Sequence, residues 1–284
     1  MKVSLTIAEM FNLQELPYRL REAISLTLPG NPLLDKKLPI IDIAIVCHQK
    51  DFSNLHLVIE GARSNVTNPI GKILLVTPEL LSAKLQSQFP DCLVLTDESV
   101  LGVDLIKVIN ELVPLQRRGW IIQQVIKFRI ALMSDEIASL IIDADTILLQ
   151  PRIWLDSNGN QILCISDSWH LPMKNHQRKV LGGRNYPLMF VTHHQLMKRD
   201  SVREIFGAGG EGLLEWLELG DYTEVSAISE YDTYGEWMVA NRPEQIKFAK
   251  WNNFSIKLSP HESSMEQILY KNSRYHSISN HSYL

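Results

Sequence analysis

The chain has 284 residues, 45% of them apolar and 21% charged, which suits one large α/β domain or two small ones. A formal net charge of -4 leaves no overall basic field to draw in nucleic acid or an anionic membrane. Three cysteines, Cys47, Cys92 and Cys164, are too scattered for a disulfide framework or a zinc site; Cys92 and Cys164 sit in apolar runs and read as buried free thiols, which fits a reducing compartment.

Residues 1–36 read as a helical N-terminal extension. Leu13, Leu16, Leu20, Ala23 and Ile24 recur at helical spacing. Glu9, Glu15, Arg19, Arg21 and Glu22 break up the apolar residues, so neither a signal peptide nor a membrane span is expected. The expectation is a cytoplasmic chain with at most peripheral membrane contact. Pro29, Gly30, Pro32 and Pro39 punctuate a linker, after which residues 37–284 read as one domain.

That domain opens with the β-rich run "IIDIAIVCH" (40–48), followed by a helical stretch over 51–65. "GKILLVTP" (71–78) is a second strand, "ELLSAKLQSQF" a helix, and "DCLVLTD" (91–97) a third strand. Strands alternating with helices at this spacing predict a mostly parallel sheet covered by helices. Ligands bind such sheets beyond the carboxyl ends of the strands, where His48, Thr77, Asp97 and Asp143 fall. Residues 117–136 show an apolar helical face of Trp120, Ile121, Val125, Phe128 and Leu132, interrupted by Gln123, Gln124 and Lys127.

Beyond residue 151 the alternation weakens. A strand is expected over 161–168, and a strand running into a helix over 188–197. Lys174, Arg178 and Lys179 read as a basic patch ahead of the flexible turn "GGRNYP" (182–187). "GLLEWLELG" is a short helix closed by Gly220, "SEYDTYGEWMVANRP" a helix stopping before Pro243, and the tail a final strand.

"SLIIDADTILLQP" (139–151) carries the chemistry. An apolar strand runs into Asp143 and Asp145, two carboxylates separated only by Ala144. Anions that close repel unless water or a cation lies between them. The alternative is a solvated turn. Oxygen ligands at this spacing suit a hard divalent cation such as Mg2+ or Mn2+, which commonly completes its shell with substrate phosphates.

"LIIDADTILLQP" resembles the Asp-x-Asp segment of GT-A glycosyltransferases, which use nucleotide-diphospho-sugar donors. "IDIAIVCHQKDFSNLHLVIEGARSNV" resembles their first strand and helix. "GWIIQQVIKFRIA", "FVTHH" and "SEYDTYGEWM" resemble a narrower bacterial family of such enzymes. The resemblance covers roughly residues 40–284, in order.

The resemblance implies a GT-A, Rossmann-like fold and a Mn2+- or Mg2+-dependent transfer of sugar to a hydroxyl of a saccharide or glycan acceptor. It implies Asp145 as metal ligand and Asp143 as ligand to metal, donor ribose or both. It favours His281 over His276 as a third ligand; His193 and His194 are a second option, placed toward the acceptor. Lys127 would neutralise donor phosphates. Gln123 and Gln124 would bond sugar hydroxyls, and His48 and Thr77 would meet the nucleotide. Glu230, then Asp232, would take the acceptor proton, with Tyr231, Tyr234 and Trp237 as sugar-stacking rings. Acidic residues behind the helix cap Ser229 have a simpler explanation as first-turn charges. A sugar-phosphate nucleotidyltransferase is the alternative enzyme, but it calls for a glycine-rich loop after the first strand, and "CHQKDFSN" contains no glycine. A non-catalytic nucleotide-sugar or glycan binder would not need an intact Asp-x-Asp.

Overall fold

The computed structural model describes residues 37–183, 186–224, 226–257, 264–272 and 274–280. The proposed extension over 1–36 and His281 lie outside them. Ile41–Val46 form β1, in which all six residues are buried. Ile70–Thr77 form β2, Leu93–Thr96 β3, Ala138–Asp143 β4 and His194–Lys198 β7. These five make one sheet in the order β3-β2-β1-β4-β7, parallel except that β7 runs antiparallel to β4. Continuous apolar runs such as Ile43–Val46 are what strands covered on both faces require.

Helices cover both faces. Leu55–Asn65 (α1) packs on the face that buries Ile43, Ile45 and Leu75. Asp97–Leu112 (α3) and Leu115–Met133 (α4) pack on the face that buries Ala44, Val46 and Val76. Alternate residues of one strand thus enter opposite layers. Glu79–Gln88 forms α2 at the sheet edge, leading into β3. The residues of α3 carry no element in the sequence reading. Its start is set by Thr96, whose Oγ1 accepts the Ser99 N–H at 3.1 Å.

The rest of the chain closes around the β4 side. Thr146–Leu148 (β5) pairs antiparallel with Ser277–Asn280 (β10), which pairs with Asn253–Ile256 (β9). Gln161–Ile165 (β6) pairs with Ile246–Lys250 (β8). Leu171–Leu181 (α5), Arg199–Phe206 (α6), Leu213–Glu218 (α7), Glu230–Asn241 (α8) and Met265–Asn272 (α9) complete the helices among the described residues. None is long and apolar enough to cross a membrane.

Two expectations change here. The strand expected over 188–197 starts only at His194, and the residues before it are irregular. The supposed basic patch belongs to α5, and Lys174 in it is fully buried. Its Nζ lies 2.9 Å from Asp232 Oδ1 and 2.6 Å from Glu236 Oε1, both on α8. Asp232 Oδ1 also accepts the Phe190 N–H at 3.1 Å. Burial lifts the Glu236 carboxyl above the ordinary range; Lys174 pulls it back and Asp232 pushes it up again. This cluster pins α5, α8 and residues 186–190 together. Gly235 makes the packing possible, because a Cβ there would stand 2.3 Å from Phe190 Cγ.

Gly235→Ala is therefore expected to cost about 1–3 kcal/mol through overpacking, measurable by denaturant unfolding. His176 supplies an acid-sensitivity prediction. Burial holds it down at about 4, although its Nε2 lies 2.8 Å from the Trp216 carbonyl. The folded state keeps it neutral while the unfolded chain protonates near its ordinary value. Stability is fully present above pH ~6.5 and is lost as pH falls toward 4, by at most about 3 kcal/mol. Melting temperatures recorded from pH 7.5 to 4.5 should fall, and His176→Gln should flatten the fall.

Candidate metal centre and its cleft

Asp143 closes β4, and Ala144 and Asp145 form the turn into β5. Four contacts among the described residues hold that turn. Asn280, at the end of β10, donates its N–H to the Asp145 carbonyl at 2.7 Å. Thr146 Oγ1 lies 3.3 Å from Asp145 Oδ1 and 3.0 Å from Ser279 Oγ. The Asp143 N–H is taken by the His193 carbonyl at 2.9 Å. Asp143 is also the register partner of Val46, the last residue of β1. The chain leaves β1 toward β2 on one side while β4 lies on the other, so the pair sits at the topological switch point, where open α/β sheets bind ligands.

A network of charges converges on Asp143. Its Oδ1 accepts from Lys127 Nζ at 2.6 Å and from the Tyr231 hydroxyl at 2.7 Å. Its Oδ2 lies 3.3 Å from His193 Nδ1. Burial alone would raise the Asp143 carboxyl, but Lys127 and His193 outweigh it and hold the group well below the usual carboxylate range. Lys127 Nζ also binds Glu230 Oε1 at 2.6 Å and lies 4.3 Å from the centre of the Tyr231 ring. Burial works against its charge; Asp143 and Glu230 overcome it and keep the ammonium firmly protonated. The Tyr231 phenol is raised by burial and by the charges of Asp143 and Glu230, so it acts as a donor.

Ligand atoms of Asp143, Asp145 and His193 lie within 4.8 Å of one another. Two carboxylates and an imidazole fit a divalent cation. The charge of the surroundings fits one too. They line a cleft of about 300 Å³ that holds four carboxylates (Asp51, Asp143, Asp145 and Glu230) against Lys50 and Lys127. Its lining also includes Val46 at the end of β1, and Trp120, Gln123, Met173 and Ser229.

The cleft gathers Gln123, Gln124, Lys127, Asp143, Asp145 and Glu230 from the residues singled out in the sequence. Gln124 is buried, its Oε1 accepts the Glu230 N–H at 3.2 Å, and its Nε2 has no hydrogen-bond partner among the described residues. Other expected residues sit elsewhere. Asp232 is fully buried in the Lys174 cluster and does not face the cleft, because two residues along a helix turn a side chain by about 200°, away from the face that carries Glu230. Thr77 is buried at the end of β2. His48 is exposed; its N–H donates to Asp51 Oδ2 at 2.8 Å, and Lys50 and Asp51 line the cleft instead. His194 is buried against Trp154, apart from His193. His276 is half-buried and gives its carbonyl to the Leu149 N–H.

Of the aromatic residues of α8, Tyr231 lines the cleft with its hydroxyl on Asp143, Trp237 faces away from it, and Tyr234 is core. Tyr234 is fully buried, donates to Gln161 Oε1 at 2.7 Å and so shares no working face with Glu230. The sequence reading had no reason to select Lys50, Asp51 or Met173. Their common signal is position at a strand end or helix start, which becomes a cleft only after folding.

No protein-family model matches the chain, and no curated protein matches it in sequence. Solved structures similar to it include an active-site mutant of LgtC, at 15% identity over 84% of this chain and 87% of that one, TM-score 0.48. The galactosyltransferase LgtC with donor and acceptor sugar analogues is similar at 13% identity over the same shares, TM-score 0.45. Apo mouse xyloside xylosyltransferase 1 is similar at 7% identity over 86% of this chain and 98% of that one, TM-score 0.44.

Lys127→Met would leave Asp143 and Glu230 facing each other without their shared cation. The expected loss is about 3–5 kcal/mol in chemical unfolding, and adding Glu230→Gln should restore part of it by removing one uncompensated charge.

Proposed function

We propose that the protein transfers a sugar from a nucleotide-diphospho-sugar to a hydroxyl of a saccharide or glycan acceptor, with Mn2+ or Mg2+ held by Asp143 and Asp145. The observation that carries this reading is the Asp143–Asp145–His193 group at the switch point, in a cleft whose own charge is negative. A diphosphate would be repelled by the bare cleft. When bound there, a divalent cation supplies the charge that seats a diphosphate and stabilises it as it leaves.

The chain's own residues supply the rest. Lys127 and Tyr231 hold Asp143 ionised and oriented. The Nε2 of Gln124 presents a buried, unspent donor to a sugar hydroxyl, which is a costly arrangement in a protein without a ligand. Trp120 and Met173 add apolar lining suited to the face of a sugar ring. Glu230 lines the same cleft, held by Lys127, and is the carboxylate we assign to accept the proton of the acceptor hydroxyl.

The test is a thermal-shift panel of nucleoside diphosphates and their sugars, each with and without Mn2+. A metal-dependent rise is expected for one nucleotide and should vanish in Asp145→Ala. Glu230→Gln should keep the rise yet lose transfer by about 100-fold or more. No rise with any nucleotide and metal would refute the reading.

A further inference from the structure

We propose that Trp251 is a positioning residue that presets the His193 imidazole as a nitrogen ligand, and that this makes the centre prefer Mn2+ to Mg2+. The inference rests on the metal reading above and says what selects the metal.

His193 has a backbone φ of 58°, in the left-handed region that non-glycine residues adopt at a cost of order 1 kcal/mol. Contacts of its backbone and of its ring hold it there. Its carbonyl accepts the Asp143 N–H at 2.9 Å, and its ring stacks on Trp251, with centroids 5.3 Å apart and planes 15° from parallel. Trp251 is itself fixed. Its backbone N–H donates to the Ile165 carbonyl at 3.0 Å, and the carbonyl of the next residue, Asn252, accepts from His276 N at 2.9 Å and Ser277 N at 3.3 Å. The indole therefore stands on the junction of the β6–β8 and β5–β10–β9 sheets. The ring laid on it points Nδ1 at Asp143 Oδ2, 3.3 Å away.

Two carboxylates alone offer only oxygen, which Mg2+, Ca2+ and Mn2+ all accept. An imidazole nitrogen adds affinity for a transition metal and little for Mg2+. A ligand held in place by its neighbours commonly binds 10- to 100-fold tighter than a loose one. The strained backbone and the flat stack together are the cost and the means of that ordering.

The experiment uses the full chain. Mn2+ binding is followed by electron paramagnetic resonance titration, Mg2+ by competition, and the metal-bound nitrogen by pulsed measurement of its modulation of the Mn2+ signal. His193→Ala should abolish the nitrogen modulation and weaken Mn2+ about 10- to 100-fold, with Mg2+ changed far less. Trp251→Leu, which fills the space without a flat face, should behave like His193→Ala, whereas Trp251→Phe should keep both affinity and modulation. Trp251→Leu binding Mn2+ as tightly as the parent chain would overturn the proposal, as would equal losses for the two metals or nitrogen modulation surviving in His193→Ala. A parent chain that binds neither metal would instead overturn the metal reading beneath it.

Discussion

The buried ammonium of Lys127 is the interaction on which the cleft depends. It bridges Asp143 on β4 and Glu230 on α8, two residues whose elements meet only in the folded chain. Without a cation at that point, burial would force one carboxylate to take up a proton or move. With it, Asp143 stays ionised beside Asp145, and Glu230 is held in the lining of the same cleft. Tyr231 adds its hydroxyl and its ring face to the same pair. One helix, α4, thus aligns the end of the central sheet with the start of α8.

A second buried lysine repeats the device a turn further along α8. Lys174 ties Asp232 and Glu236 to α5, and the Asp232 carboxylate also holds Phe190. Together the two lysines set α8 against both the sheet and residues 186–193. His193 reaches Asp143 from the end of that segment. The Asp143–Asp145–His193 group is therefore built from pieces that buried ion pairs keep in register, and such pairs contribute specificity of arrangement more than net stability.

Much of the fold was legible because burial on both faces leaves a mark in composition. β1, β2 and β4 each carry an apolar run, over residues 43–46, 73–76 and 140–142. Helix α3 was not legible: Gly102, with φ 75°, breaks its helical geometry inside DESVLGVDLIKVINEL and obscures the period. Lys174 read as a surface charge because its partners lie 58 and 62 residues away. Asp232 read as catalytic because it stands beside Glu230 in the chain, while helix geometry turns it inward. Trp251 carried no signal at all, since stacking on a histidine 58 positions earlier in sequence is invisible to local pattern.

By itself the sequence determined the alternation of strand and helix, the mostly parallel sheet, and the presence of two carboxylates where β4 leaves the core. These follow from short-range rules: apolar runs, side-chain alternation and chain punctuation act over a few residues. Only the tertiary structure decided which charges share a cleft. It joined His193 to Asp143 and Asp145, gave Lys127 both Asp143 and Glu230, and withdrew Asp232 into the core. Electrostatic and ligand geometry depends on distances of a few ångströms between residues far apart in the chain, and those distances exist only once the layers have packed.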